Sequence, residues 1–146
     1  MATMQRYSKG ARAERELLNH LYSIGYSVVR SAGSGVNSVS PDIIAIKQGK
    51  GLAFESKAWD GNGISIDHEK FESLRQWRDN SGMDTYIAWR MNGAGWFFIT
   101  LDEMSRTEKN YRVTKKNAIR INRRPEHLTG MPFKLSKDQK DQSAPC

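Results

Sequence analysis

Two acidic residues and one lysine have a spacing that could assemble a metal-assisted reaction site. Asp42 follows Pro41, twelve residues separate it from Glu55, and Lys57 comes two positions later. Carboxylate oxygens are the ligands that Mg²⁺ and Mn²⁺ prefer in proteins. A cation held there would polarise a phosphoryl oxygen and lower the pKa of a bound water. Lys57 would orient that water or stabilise the developing negative charge. The pattern predicts Mg²⁺-dependent phosphoryl chemistry, with Mn²⁺ as a substitute.

Two apolar segments must bring these side chains together. Residues 42–47 (DIIAIK) and 52–57 (LAFESK) have the composition of strands, and the turn QGKG joins them. Because side chains alternate along a strand, the glutamate and the lysine of the second segment share one face. If the turn closes an antiparallel hairpin, Lys47 lies near Leu52, and Asp42 lies roughly opposite the glutamate and the lysine.

A third carboxylate comes from the first predicted helix. Ser8 can cap a helix from about Lys9 to Ile24, with Gly25 as its stop signal. Extending its apolar stripe back one turn reaches Glu14, whereas Glu16 lies about 200° around the helix, at about 100° per residue, and is expected to face water. The stripe consists of Leu17, Leu18 and Leu21. Glu14 therefore points inward, either toward the site or as a carboxylate that reaches solvent at the end of the stripe.

The remaining elements predict an α/β fold. A strand over residues 26–30 precedes a Gly/Ser-rich loop, and Ser65 or Asp67 can cap a helix that runs to about Asn80. Two further strands cover residues 85–91 and 96–100. This order predicts a central mixed sheet flanked by helices. We expect one domain over residues 1–122, followed by a basic and polar tail over 123–146 that is frayed.

Charge and composition narrow the class of partner. The +7 net charge divides into +3 over residues 1–30, −1 over 31–100 and +5 over 101–146. Basic ends of this kind attract a polyanion, and Lys9 and Arg12 belong to the first of them. The lone cysteine, Cys146, can form neither an internal disulfide nor a cysteine-based zinc site. With no secretory signal and no apolar run of about 20 residues, we expect a cytoplasmic, nucleoid-associated protein without membrane partners.

Four tryptophans remain, and all four are most simply core or interface residues. Trp59 lies two positions beyond Lys57, so base stacking is an alternative for it. The others are Trp77, Trp89 and Trp96.

Longer stretches of the chain resemble a known family. KGARAERELLNHLYSIGYSVVRSAGS, followed by SPDIIAIKQGKGLAFESK, is similar to the archaeal Holliday junction resolvase family of the PD-(D/E)xK nucleases. The similarity extends through the FFIT strand and RTEKNYRV to about residue 115. It implies a restriction-endonuclease-like fold and a homodimer that cuts four-way DNA junctions by paired, symmetric hydrolysis. No small-molecule cofactor beyond the metal is implied.

The resemblance also implies roles for individual positions. It makes Glu14, Asp42 and Glu55 the metal ligands and Lys57 the catalytic lysine. It assigns DNA contacts to Arg15 and Arg30, and makes Ser34 a loop residue that approaches the scissile phosphate. Two alternatives stay open: another PD-(D/E)xK repair or restriction nuclease, and a non-catalytic basic DNA-binding module.

Overall fold

The computed structural model describes residues 2–31 and 39–133, with residues 2–8 described by their backbone alone. Within these ranges the chain forms α1 (Ala2–Ser23), β1 (Ser27–Arg30), β2 (Ile43–Lys47), β3 (Lys50–Ala58), β4 (Gly63–Asp67), α2 (His68–Ser81), β5 (Asp84–Met91), β6 (Gly95–Thr100), a 3₁₀ turn (Leu101–Glu103), β7 (Ser105–Arg106), β8 (Asn110–Thr114), α3 (Lys115–Ile121) and α4 (Pro125–Thr129). The predicted α/β class, with helices flanking a central mixed sheet, is confirmed.

The main sheet has five strands in the order β1-β2-β3-β5-β6. β3 and β5 run parallel, and the other neighbours are antiparallel. α1 packs on one face, where Leu17 and Leu21 join Ile43, Phe54 and Phe98 in a buried cluster. On the opposite face, a second cluster joins β5 and β6 to α2 and a smaller sheet of order β4-β8-β7. The central strands are therefore packed on both faces.

The β2–β3 hairpin is tighter than the sequence suggested. Lys47 pairs with Lys50 rather than with Leu52, which shifts the register by two residues. The reason is the turn: Gln48 and Gly49 both have positive φ, 51° and 81°, as a two-residue type I′ turn requires. A shift of two residues leaves every side chain on its expected face.

α1 begins at Ala2, seven residues before the expected start at Lys9. The added segment, ATMQRYS, contains no helix breaker and includes several good helix formers. α2 begins and ends as expected, because Asp67 accepts a hydrogen bond from the Lys70 amide at 2.7 Å and Gly82 adopts a left-handed conformation. None of the helices in the described part of the chain has both the length and the apolar character to cross a membrane.

Beyond Leu101 the chain is more ordered than its weak sequence signals suggested. β8 pairs with both β4 and β7 to build the second sheet. The expected start of a frayed tail, Arg123, instead forms a bidentate ion pair with Glu103, at 2.6 and 3.0 Å. α4 follows, and Phe133 stacks on His20 of α1. Residues 123–133 are thus packed against the domain, and residues 134–146 lie outside the described residues.

Candidate active site

Asp42 and Glu55 meet across the β2–β3 ladder. The β2–β3 ladder begins with Ile43 opposite Phe54, so one residue further out Asp42 lies opposite Glu55. Asp42 Oδ2 accepts a hydrogen bond from the Ser56 amide at 2.9 Å, which fixes its carboxylate beside β3. The predicted convergence of the two acids is therefore present, and β-sheet pairing alone produces it.

Glu55 is the most unusual carboxylate of the described chain. It is only 7% exposed, and its Oε1 atom has no hydrogen-bond partner among the described residues. Burial, together with the nearby charge of Asp42, raises the pKa of Glu55 to about 7, although Lys70 and Lys57 act in the opposite direction. A buried carboxylate oxygen without a donor is costly for a protein unless a cation satisfies it.

Lys70 is a site residue that sequence reasoning missed. It lies on α2, donates a hydrogen bond from Nζ to the Ser40 carbonyl at 2.9 Å, and places Nζ 3.5 Å from Glu55 Oε1. That distance makes an ion pair, but the contact lacks hydrogen-bond geometry, consistent with the unsatisfied oxygen. A signal was available, because Lys70 precedes Leu74 and Trp77 by four and seven residues. That spacing puts a charge on the inward face of the helix.

Lys57 lies on the same face of β3 as Glu55 and two residues beyond it, as predicted. The parallel neighbour β5 supplies Trp89 beside it, and this tryptophan is fully buried. Among the described residues, no carboxylate lies within 4 Å of the Lys57 ammonium. Its charge is therefore available to a phosphate rather than consumed in an ion pair.

The donor set at this point fits a hard divalent cation. Glu55 offers an unsatisfied buried oxygen, Asp42 offers a second carboxylate, and oxygen ligands suit Mg²⁺ and Mn²⁺. In residues 9–31 and 39–133, however, no group of three or more His, Cys, Asp or Glu side chains is arranged to hold a metal. The structure thus brings two of the three predicted ligands together.

Glu14, the third predicted ligand, is engaged elsewhere. It forms an ion pair with Arg30, the last residue of β1. α1 packs on the sheet face that carries Ile43 and Phe54, whereas Glu55 points to the other face. The metal-ligand role of Glu14 stays a prediction, as do the site roles of the other residues.

Glu16 does not face water as expected. Its Oε1 accepts hydrogen bonds from Trp96 Nε1 at 2.8 Å and from Arg90 Nε at 3.1 Å. The buried stripe of α1 is centred on Leu17, so Glu14 and Glu16 flank it on opposite sides. The sheet is broad enough to cover both flanks, which a helical projection cannot reveal.

The predicted DNA-binding residues lie near the start of the domain. Arg12, Arg15 and Arg30 are exposed, whereas Lys9 forms an ion pair with Asp60. Ser34 lies outside the described residues.

Two of the four tryptophans are core residues, as expected. Trp89 and Trp96 are core residues, at 0% and 1% exposure, and Trp77 is half-buried. Trp59, by contrast, is 36% exposed at the end of β3.

Comparison with known proteins gives consistent matches. A family model described as archaeal Holliday junction resolvase (hjc) matches residues 5–129. The crossover junction endodeoxyribonuclease Hjc of Archaeoglobus fulgidus is 34% identical over 107 residues, 73% of this chain and 79% of the relative. The protein of the same name from Methanocaldococcus jannaschii is 36% identical over 112 residues, 76% and 80% of the two chains. The solved structure of A. fulgidus Hjc, titled a Holliday junction resolvase from an archaeal hyperthermophile, matches with a TM-score of 0.74 at 28% identity and covers 86% of this chain and 98% of that one.

Proposed function

The chain belongs to the archaeal Holliday junction resolvase family, and we propose on this basis that it resolves four-way DNA junctions by paired, symmetric phosphodiester hydrolysis. The observation that carries the proposal is the buried Glu55 carboxylate opposite Asp42, with Lys57 on the same face of β3. A non-catalytic DNA-binding module would have no need to maintain a carboxylate in so costly an environment.

Membership of this nuclease family implies a requirement for a divalent metal ion, and the finer proposal is Mg²⁺, with Mn²⁺ as a substitute. Asp42 and Glu55 would hold the ion, and Glu14 is proposed as a third ligand. When bound, such an ion polarises a phosphoryl oxygen and lowers the pKa of a coordinated water. Lys57 orients the attacking water or stabilises the negative charge that develops on the phosphate. Lys70 holds the Glu55 carboxylate from the helix side.

The basic residues would bind the DNA backbone. Arg15, Arg30 and Arg12 are exposed near the start of the domain and can reach phosphates, and Lys9 extends the same surface. Ser34 is proposed to approach the scissile phosphate from its loop. Since its substrate is DNA, we propose a cytoplasmic, nucleoid-associated location.

We also propose a homodimer. One site can cut one strand, whereas resolution needs two opposed cuts made before the junction dissociates. A two-fold dimer presents two identical sites to a junction of matching symmetry. Light scattering should then give about twice the 16.6 kDa chain mass. A monomer that still resolves junctions in one binding event would refute the dimer.

The decisive experiment offers the purified protein three labelled DNAs in Mg²⁺ buffer: a four-way junction, a matched duplex and a single strand. Paired nicks confined to the junction support the proposal. General duplex cutting would support a repair or restriction nuclease instead, and binding without cutting would support a DNA-binding module. A cruciform plasmid adds a symmetry test, because paired cutting linearises it without accumulation of nicked circles.

A further inference from the structure

A cavity of about 380 Å³ lies between the end of β3 and the second sheet. Its lining includes Lys57 and Trp59 from the β3 end, together with Ser65 of β4 and Arg112 of β8. The volume falls in the range of about 300–1,000 Å³ that is typical of ligand sites. The proposed catalytic lysine therefore borders a recess whose other side is formed by residues without a role in the chemistry described so far.

Two glycines make room for the side chains that line this cavity. A Cβ atom at Gly61 would lie 2.1 Å from Trp59 Nε1, and one at Gly63 would lie 2.5 Å from Arg112 Nη2 and 2.9 Å from the Val113 carbonyl. Neither glycine has a positive φ, so neither is needed to relieve backbone strain. Glycine is therefore needed at Gly61 in the β3–β4 connection to seat the indole, and at Gly63, the first residue of β4, to seat the guanidinium.

The cavity carries two positive charges that the described protein does not neutralise. Within residues 9–31 and 39–133, neither Lys57 nor Arg112 has a carboxylate within ion-pair distance. Arg112 donates one hydrogen bond, from Nη1 to Ser65 Oγ at 3.4 Å. A guanidinium offers five donors in a planar fork, so most of its capacity is left for an anion. A phosphate is the anion that this geometry and charge suit best.

Trp59 adds an aromatic surface to this cationic recess. The Trp59 carbonyl accepts a hydrogen bond from the fully buried Trp89 Nε1 at 2.9 Å, which ties its backbone to the core. Trp59 as a residue is 36% exposed, and its indole Nε1 lies against Gly61. An anchored, exposed indole beside two cations has the features of a nucleotide-stacking site, where the ring takes a base and the cations take phosphate.

We propose that this cavity, defined by Trp59 and Arg112, is a subsite for one nucleotide of the cut strand next to the scissile phosphate. The base stacks on Trp59, and the phosphate on that nucleotide pairs with Arg112. Lys57 belongs to both the cavity and the reaction site, so an occupied subsite sets the position of the neighbouring phosphodiester. The proposal rests on the proposed function, because it takes junction DNA as the ligand.

The test is a double-mutant cycle between protein and DNA, using the full chain. The cut is first mapped on the wild-type protein, and junctions are then prepared that each lack a single base close to the cut. Wild-type protein should lose about tenfold or more in kcat/KM with one of these abasic junctions, within the range for base–aromatic stacking. Trp59→Ala should have a similarly reduced kcat/KM on the intact junction and no further reduction on the abasic one. Trp59→Phe should recover most of the wild-type kcat/KM on the intact junction. Tyr22→Ala removes an aromatic residue that is 72% exposed outside the cavity and is the matched control.

Arg112→Ala should weaken junction affinity and reduce the log–log salt slope by about one. Arg106→Ala, an exposed cation of the adjacent β7, is the control and should leave cleavage unchanged. Thermal unfolding of each variant separates folding defects from loss of the subsite. If each abasic junction lowers kcat/KM by the same factor in the wild type and in Trp59→Ala, the subsite is refuted. The proposed junction cleavage would not be affected by that result.

The same cycle can be run on junction affinity in EDTA, with the abasic position moved base by base around the point where the four arms meet, so that neither the choice of junction nor the outcome depends on cleavage. Coupling between Trp59 and one base in binding, with no cleavage by the wild type in Mg²⁺, would retain the subsite and overturn the proposed function. A protein that binds no junction at all would overturn both.

Discussion

Lys70 Nζ lies 3.5 Å from Glu55 Oε1, although one residue is in α2 and the other in β3. The lysine is also fixed by its hydrogen bond to the Ser40 carbonyl, immediately before the Pro41-Asp42 pair. Lys70 therefore connects the helix, the segment that leads into β2 and the buried glutamate. From its position on α2, its positive charge offsets part of the negative charge of Asp42 and Glu55.

Substitution of Lys70 by alanine should move the pH dependence of cleavage to higher pH. Removing the nearby cation raises the pKa of Glu55 further, so a more alkaline solution is needed to ionise it. Initial rates measured across a pH series give the midpoint. Arg75→Ala, an exposed cation on the same helix, should leave the midpoint where it is. If the pH dependence of cleavage by Lys70→Ala matched that of the wild type, Lys70 would have no role at the site.

Asp42→Asn should reduce cleavage by at least about 10²-fold while junction affinity changes by less than about threefold. The substitution is nearly isosteric and removes the charge of a proposed metal ligand, a loss comparable to that of one transition-state group. Single-turnover cleavage and gel-shift titration on the same junction provide the two numbers. Glu108→Gln, an exposed acid in the β7–β8 turn, serves as the control. A parallel loss of binding would point to misfolding instead.

Lys57→Ala should slow cleavage by about 10²-fold or more and leave metal affinity intact, because the lysine acts on the phosphate rather than on the metal. Calorimetric titration with Mg²⁺ reports the affinity independently of the reaction. A large change in metal affinity at an unchanged rate would be incompatible with the role assigned to Lys57.

The metal-free protein should lose stability as the pH rises from 4.5 to about 7. The folded pKa of Glu55 is raised from 4.5 to about 7, so the folded protein holds this proton more tightly than the unfolded chain does. Glu55 therefore does not lower the free energy of unfolding below pH 4.5, and its ionisation lowers it by the full amount above about pH 7. The size is on the order of 3 kcal/mol, at about 1.4 kcal/mol for each pKa unit. Chemical unfolding in EDTA measures the effect.

Glu55→Gln should flatten this part of the stability profile, and Glu69→Gln, an exposed acid at the start of α2, should not. Subtracting the variant profile from the wild-type profile removes contributions of the opposite sign, such as that of His20, whose pKa is lowered by burial. An identical slope in Glu55→Gln and wild type would show that Glu55 titrates normally.

Glu14→Gln and Glu16→Gln should separate catalysis from stability. Glu14→Gln should reduce cleavage strongly if Glu14 ligates the metal. Glu16→Gln should cost about 1–3 kcal/mol of unfolding free energy, because a neutral amide oxygen weakens the charge-assisted hydrogen bonds that Glu16 accepts from Trp96 and Arg90, and should change cleavage little. Cleavage rates and unfolding curves on both variants decide the matter. Equal cleavage losses would contradict the assignment of the two residues to different sides of α1.

The sequence predicted those parts of the site that depend on local periodicity. Asp42, Glu55 and Lys57 follow from strand alternation and a single hairpin, and a register error of two residues did not change their faces. Lys70 and Arg112 reach the site because elements distant in sequence pack together. The alternation of side chains along a strand carries no information about that packing. The partners of Glu16 were missed for the same reason, because Trp96 and Arg90 approach α1 from strands about 80 residues away.

The type I′ turn at Gln48 and Gly49 has a consequence for engineering this enzyme. A peptide tag inserted there would lengthen the one connection that aligns Asp42 with Glu55, and a single added residue could turn one of the two acids toward α1. The β5–β6 turn at Gly93 and Ala94 is also exposed, but the strands it joins carry neither acid. A fluorophore-bearing insertion or new chain termini should therefore be accepted at Gly93 and should inactivate the protein at Gln48.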